Sequence, residues 1–481
     1  MTPKHPNLQQ TRRNLHPSRR HSGLRRGVLT AITAMVGALV AAATADAQFP
    51  GFIRDTEIEN LLDEYSKPIF KVAGLGQQPI RIRILQQDGF NAFVVDGQNV
   101  FINSGTLMMA KTPNQVIGVI AHETGHIAGG HLAKLRQRIK EDTTKSLIVK
   151  VLAIGALVVG GTQTTGQTRD SLVEIGKGAL VGGDQVIMRG LLLYQRQHES
   201  AADQAGIGYL TATRQSGAGM LATFEEFAKQ EYLSAQYQDP YVRSHPMARD
   251  RVAQLRVLAE QSPHYNTKDS ATLQLRHDLM RAKLAGVLSR GNPRVVYNQF
   301  PESDKSLPAR YARAIARYFT SDINAALPEI EALIRERPEY PYFHELKGEL
   351  LLRSGRAKDA VAPYRKALSL AGGHTSLMRI ELAKAVLQAE EPRGAEEAID
   401  LIRKAIVLED DNPDAYQTLA NAYYKKGQEP EANLAVAQAR FLSGNLPDAK
   451  NFAKRAQLKL VKDSPAWLKA DDIINFKPSQ Q

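Results

Sequence analysis

The chain of 481 residues contains no cysteine, and this absence excludes three kinds of chemistry. Disulfide cross-links, thiolate metal sites and cysteine nucleophiles are all ruled out. Any metal ion must therefore be bound by histidine, aspartate or glutamate. An apolar content of 43% and a charged content of 23% are typical of globular proteins, which argues against a wholly disordered chain.

A strong excess of basic residues is also missing once residues 1–47 are set apart. The whole chain has a formal net charge of +12, but residues 1–47 contain seven Lys or Arg and one acidic residue, Asp46. The other 434 residues carry 55 basic and 49 acidic side chains, a net charge of +6. This balance predicts no nucleic-acid partner and at most a peripheral contact with an anionic surface such as a membrane.

Two uncharged or nearly uncharged stretches need to be distinguished from membrane spans. Residues 27–43 follow a basic run and precede Ala45 and Ala47, which favours an export signal cleaved after Ala47 over a membrane anchor. Residues 147–161 are apolar apart from Lys150 and short for a bilayer, so we expect a buried or surface-docked helix, followed by a loop at 160–168.

The first part of the mature chain predicts a small sheet and several helices. A helical pattern over 55–65 is followed by a strand at 79–85 and a hairpin of 90–95 and 100–102, with its turn at Asp96-Gly97. Thr112, Pro113 and Gln115 predict a capping box that opens a helix running to about 139. A further helix is expected over about 191–210.

The second part shows a repeat of about 34 residues. Small residues open every second helix at Ala326, Ala360, Ala398 and Ala432, with apolar or small residues four and seven positions later. This period resembles the tetratricopeptide repeat, which stacks into a curved surface for extended segments or partner proteins. Residues 446–460 are expected to form a degenerate closing helix.

The candidate chemistry lies in two helices. His122 and His126 are four positions apart, so both imidazoles face one side of a helix, with Glu123 beside them. A zinc hydrolase needs a third protein ligand. We expect Glu199 to be this ligand and Asp203, one turn later, to accept the spare N–H of a ligand histidine. An acidic stripe facing solvent is the alternative for this pair.

Three nearby positions bear on this interpretation. His131 is one residue out of phase with the motif, so it is expected to point elsewhere and to be structural or to support a ligand. Ala202 and Gly206 are small enough to let the two helices approach closely.

These motifs resemble those of the HtpX-like and CAAX-prenyl-protease-like zinc metallopeptidases. The match covers about residues 55–260 and consists of Asn91-Ala92-Phe93, His122-Glu123-x-x-His126, Glu199-x-x-Ala202-Asp203 and Ser244-His245-Pro246 with Arg251. The resemblance implies an α+β, mostly α, zincin-like metalloprotease domain, followed here by an α-solenoid of tetratricopeptide repeats. The long transmembrane pairs of the integral-membrane members are missing, which argues against a prenyl-protein role.

The resemblance implies peptide hydrolysis with one Zn²⁺ per chain. His122, His126 and Glu199 would bind the metal, Glu123 would act as the general base, and an extended substrate would pair with the strand that contains residues 91–94. His245 would donate to the oxyanion or, as in periplasmic members, occupy the fourth zinc position and hold the enzyme shut. The alternative is an ordinary turn histidine.

Arg251 is expected either to pair with a carboxylate near the site or to be a solvated surface charge. The sequence leaves both interpretations open.

The resemblance to periplasmic members also implies location and partners. We expect a periplasmic endopeptidase with chaperone activity that acts on unfolded or stalled outer-membrane proteins and reaches the β-barrel assembly machinery through its repeats. A repeat-based chaperone or scaffold with a largely silent protease site is the alternative. The predicted organisation is a signal peptide at 1–47, a metallopeptidase domain at 48–262, a helical connector at 263–305, repeats at 306–465 and a tail at 466–481.

Overall fold

The computed structural model describes residues 51–95, 98–134, 184–229, 241–242, 245–246, 249–289, 292–320 and 323–478. Phe52–Gln481 forms one compact unit. The expected signal peptide, the hairpin turn at Asp96-Gly97 and the apolar segment and loop over 147–168 lie outside the described residues. Within the described ranges, no helix is both long enough and apolar enough to span a bilayer.

A four-stranded sheet opens the fold, in the order β1-β2-β4-β3. Strands β2 and β4 are parallel, and the other two pairs are antiparallel. The predicted strand and hairpin are therefore confirmed, and β3 lies at an edge of the sheet. The strands are β1 (Phe52–Ile53), β2 (Arg81–Leu85), β3 (Ala92–Val94) and β4 (Asn99–Asn103).

Among the described residues, six helices accompany the sheet in the part of the chain that contains the motifs, and their apolar faces pack with the sheet into one core. They are α1 (Thr56–Val72), α2 (Ser104–Met109), α3 (Pro113–Ala128), α4 (Asp184–Ala212), α5 (Ala218–Ala228) and α6 (Arg249–Gln261).

Helix α3 begins as predicted and ends early. Pro113 is its first residue, and the Gln115 side chain accepts the backbone N–H of Thr112 at 3.3 Å. The prediction of one unbroken helix to about 139 is wrong, because the chain turns at 129–130 before residues 131–134 become helical again; residues 135–139 lie outside the described residues. Gly130 has φ +61°, a left-handed conformation that breaks the helical path.

One helix of the expected connector contributes side chains to two hydrophobic cores. Met280 and Leu284 belong to the core of the N-terminal part, whereas Leu279 and Ala282 belong to the first core of the repeats. The connector helices are α7 (Ala271–Leu288) and α8 (Pro293–Gln299).

The repeats are confirmed as pairs of helices that pack against each other. All four small residues that define the period are fully buried: Ala326, Ala360, Ala398 and Ala432. The helices are α9 (Leu307–Phe319), α10 (Ile323–Glu336), α11 (Pro341–Arg353), α12 (Ala357–Leu370), α13 (Ser376–Gln388), α14 (Gly394–Leu408), α15 (Pro413–Lys425), α16 (Glu429–Leu442), α17 (Leu446–Gln457) and α18 (Pro465–Asn475).

The C-terminal end of the array differs from the prediction. Helix α17 is the expected closing helix, but the predicted tail contains most of α18. Ala470 and Ile473 of α18 are buried against the preceding helices, so the array ends on an additional packed helix.

A buried ionic cluster joins the N-terminal part to the repeats. Lys283 Nζ of α7 lies 2.6 Å from Asp55 Oδ2, 3.3 Å from Glu57 Oε2 and 3.9 Å from Glu345 Oε2 of α11. The hydroxyl of Tyr311 on α9 donates to Glu57 at 2.9 Å. These groups have little access to water, so helix α1 and the repeats are held together by buried charges, and removal of one partner would leave another charge buried and unpaired.

Candidate metal centre

Helices α3 and α4 bring the predicted ligand atoms to one point. The Nε2 atoms of His122 and His126 are 3.0 Å apart. The Glu199 carboxylate lies 3.4 Å from each of these nitrogens. His245 completes a group of four residues whose ligand atoms all lie within 4.8 Å of one another.

Glycines make this convergence possible. A Cβ at Gly206 of α4 would lie 3.3 Å from the His122 backbone nitrogen, as the small residues in the sequence predicted. The closer contact is at Gly125, where a Cβ would lie 2.8 Å from the Ala202 carbonyl oxygen. Sequence analysis missed Gly125, although a glycine inside a helix, where it costs about 1 kcal/mol relative to alanine, is a signal of close packing.

Asp203 and Arg251 form the layer behind the ligands. Asp203 Oδ1 lies 2.9 Å from Nδ1 of His122, on the side of the ring away from the cluster. Arg251 binds Asp203 through two nitrogens, with Nη2 at 2.8 Å from Oδ1, and its Nη1 lies 2.9 Å from Glu199 Oε2. Arg251 is buried, so the structure places it with the carboxylates and not on the surface.

Glu123 is buried beside the cluster and is 1% exposed. Its Oε1 has no hydrogen-bond partner among the described residues and lies 3.6 Å from Nε2 of His245. Burial raises the pKa of Glu123, and the nearby His245 and His122 only partly offset this effect. A buried carboxylate with an unused oxygen is suited to bind and deprotonate a water molecule.

His245 faces the ligands and Glu123 at the same time. Its Nδ1 lies 3.0 Å from Glu199 Oε2 and 3.3 Å from Nε2 of His122. The ring stacks on Tyr241 at a centroid distance of 4.6 Å, and Arg251 Nη1 donates to the carbonyl of the next residue, Pro246, at 3.0 Å. His245 is therefore held at the cluster, in contrast to an ordinary turn histidine. Ser244 of the same motif lies outside the described residues.

The electrostatics of the cluster suit a cation. Burial lowers the pKa of His122, but Asp203 and Glu199 outweigh it and raise the value to about 9. Burial raises the pKa of Glu199, yet His245, Arg251 and His126 together bring it well below its ordinary value. The facing imidazole nitrogens, 3.0–3.3 Å apart, can share a hydrogen bond with each other or bind one cation together, and this His and carboxylate donor set is one that zinc prefers.

Two aromatic residues near the site had no signal in the sequence. Phe224 of α5 meets His122 edge-on at a centroid distance of 5.3 Å, and Tyr241 is fully buried under His245. Their positions depend on tertiary packing, which a single sequence does not show.

His131 lies closer to the site than expected. Because the chain turns after α3, its Nδ1 lies 3.1 Å from Nδ1 of His126, so the expectation that it points elsewhere is wrong. This contact alone is consistent with both roles that the sequence left open, a structural role and the support of a ligand. Burial lowers its pKa to about 4.

Comparison with known proteins agrees with this geometry. The sequence profile of peptidase family M48 matches residues 53–259. The beta-barrel assembly-enhancing protease of Escherichia coli K12 is 22% identical over 416 residues, which covers 85% of this chain and 81% of the relative. The metalloprotease LoiP of the same organism is 26% identical over 198 residues, covering 40% of this chain and 70% of the relative.

Among solved structures, the yeast Tom70 crystal structure aligns with 77% of this chain and 85% of its own, at 12% identity. Its TM-score of 0.27 is too low to support an argument.

Proposed function

We propose that this zinc metalloendopeptidase, whose residues 53–259 form a domain of peptidase family M48, acts in the quality control and assembly of outer-membrane proteins. The observation that supports the enzymatic part is the convergence of two imidazoles from α3 and one carboxylate from α4. In this proposal His122, His126 and Glu199 bind one zinc ion. Asp203 accepts the Nδ1–H of His122 and fixes the orientation of its ring.

Glu123 is proposed as the general base. When bound, zinc supplies Lewis-acid chemistry that activates both the attacking water and the scissile carbonyl. Glu123 accepts a proton from the water as the new C–O bond forms, and it delivers that proton to the leaving amine as the C–N bond breaks. The raised pKa of Glu123 suits this task, because it brings proton uptake closer to neutral pH.

The edge strand β3 is the proposed docking site for an extended substrate. In the part of the chain that the structure describes, β3 pairs with β4 alone, in the order β1-β2-β4-β3. An extended peptide could add to its other side through backbone hydrogen bonds, which would accept many sequences. This mode suits an enzyme that must recognise unfolded clients.

His245 is proposed to hold the site shut. Its Nδ1 lies among the ligand atoms and its Nε2 faces Glu123, so the ring occupies the space in which water and substrate would meet. Self-inhibition of this kind would spare folded neighbours. The oxyanion role requires the ring to turn away from Glu199 first.

The repeats are proposed to recruit clients and the β-barrel assembly machinery in the periplasm. Relatives called beta-barrel assembly-enhancing protease align with 79–85% of this chain, and their alignment extends into the repeats. The buried cluster around Lys283 would keep the recruited client in a fixed relation to the peptidase. A chaperone with a largely silent protease site remains the second candidate, because the same array can bind clients without cleavage.

A peripheral contact with an anionic bilayer is proposed at the loop between α17 and α18. Leu458 and Val461 are 86% and 78% exposed, and Lys459 and Lys462 flank them, which is a combination typical of interfacial binding. Val407 is equally exposed but precedes a run of acidic residues. We expect the chain to sediment with phosphatidylglycerol-containing vesicles, and a Leu458→Ser/Val461→Ser variant, unlike Val407→Ser, to remain in the supernatant.

A comparison of the full chain with its Glu123→Gln variant tests the enzymatic proposal. Both proteins are loaded with zinc and incubated with an unfolded outer-membrane protein, and cleavage is followed by mass spectrometry. The variant should retain zinc and lose cleavage, while Glu225→Gln on the nearby α5 surface should cleave normally. Prevention of client aggregation by both proteins, with cleavage by neither, would favour the chaperone.

A further inference from the structure

His131 is placed against a ligand histidine by a local turn. The turn at Gly129 and Gly130 ends α3 just before His131, and Gly130 has the left-handed conformation of this turn, with φ +61°. His131 is 8% exposed as a result. A Cβ on Gly129 would lie 2.2 Å from Nε2 of His131, so only glycine leaves room for the ring.

The two ligand imidazoles of α3 have different partners behind them. Nδ1 of His122 faces the carboxylate of Asp203 at 2.9 Å. Nδ1 of His126 faces Nδ1 of His131 at 3.1 Å. Nε2 of His126 points into the cluster, so with the metal on Nε2 the proton of the neutral ring is on Nδ1, and Nδ1 of His131 lies within hydrogen-bond distance to accept it.

A second histidine fixes the ring of His131 from the side of α4. The centroids of His131 and His198 are 4.2 Å apart, and His198 directly precedes the proposed ligand Glu199. The pair therefore connects the end of α3 with the part of α4 that carries the carboxylate. This contact crosses between the same two helices that supply the ligands.

We propose that His131 is a positioning residue that accepts the Nδ1–H of His126 and orients this imidazole for the metal. The two ligands of α3 are then supported unequally, His122 by an anion and His126 by a neutral ring. An anionic acceptor makes a ligand imidazole more basic than a neutral acceptor does. His126 is the more weakly supported ligand. This inference rests on the proposed zinc site.

The test measures zinc affinity of the full chain by competition with a fluorescent chelator at one pH. His131→Leu removes the acceptor, and His131→Asn restores one, since the amide oxygen lies near the position of Nδ1. Loss of such a partner costs about 10- to 100-fold in metal affinity. We expect this loss for His131→Leu and an affinity within about threefold of the parent chain for His131→Asn.

Gly129→Ala provides an independent variant, because it displaces the His131 ring without changing it. We expect it to weaken zinc binding as His131→Leu does, and both variants to change the visible absorption of the cobalt-substituted protein. Parent-like affinity for His131→Leu, or equal weakening by His131→Leu and His131→Asn, would overturn the inference. If the parent chain itself bound no zinc, the proposed function would fail instead.

Discussion

Replacement of Gly125 by alanine should push the two ligand-bearing helices apart. The new Cβ would lie 2.8 Å from the Ala202 carbonyl oxygen and 2.9 Å from its Cα, whereas ordinary contact begins at 3.4 Å. Both neighbouring atoms are backbone, so α3 and α4 must separate locally by about 0.6 Å. Overpacking of this kind costs about 1–3 kcal/mol, and the better helix propensity of alanine returns about 1 kcal/mol.

Gly208→Ala is the matched control on α4. Nothing lies within 4 Å of a Cβ at this exposed helical position, so only the propensity gain of about 1 kcal/mol should remain. Urea unfolding in the presence of a chelator compares the two free energies without the metal. We expect Gly125→Ala to be the less stable variant and its zinc-loaded form to lose about 10- to 100-fold in kcat/KM. Equal stabilisation by both substitutions, with normal activity, would refute the close-packing argument.

Two further predictions concern His245 and the junction with the repeats. His245→Ala should raise peptidase activity if the ring holds the site shut, and the control variant His264→Ala should leave the activity unchanged. Reduced activity of His245→Ala would favour the oxyanion role. Burial raises the pKa of Glu345 to about 8, above its ordinary value, so the folded protein holds this proton more tightly than the unfolded chain does. The stability that the protonated side chain contributes is therefore present at low pH and is lost as the pH rises toward 8. Urea unfolding between pH 5 and 8 should show this decline, and Glu345→Gln should flatten it; an unchanged slope would contradict the assignment.

The repeats and the ligand pair could be predicted because their signals are local in the sequence. A 34-residue period keeps Ala326, Ala360, Ala398 and Ala432 in phase, and each is buried as the period requires. The motif of His122 and His126 likewise depends only on the geometry of one helix.

The features that sequence analysis missed depend on the path of the chain. The position of His131 was misjudged because the expected helix continued past Gly130, where a positive φ instead turns the chain back. The contacts of Tyr241 and Phe224 with the cluster join segments distant in sequence. Helix α18 was assigned to a tail because it follows the last repeat, yet its apolar residues pack on α17.

Zinc content of the purified full chain, with and without the Glu199 carboxylate, tests the central claim most directly. The two imidazoles of α3 and the carboxylate of α4 meet within 3.4 Å of one another, so the parent chain should contain one zinc ion. Glu199→Gln should lose most of it, while Glu225→Gln, a half-buried carboxylate on α5 that pairs with Arg256, should retain it. Equal zinc content in all three folded proteins would contradict the assignment of Glu199 as the third ligand.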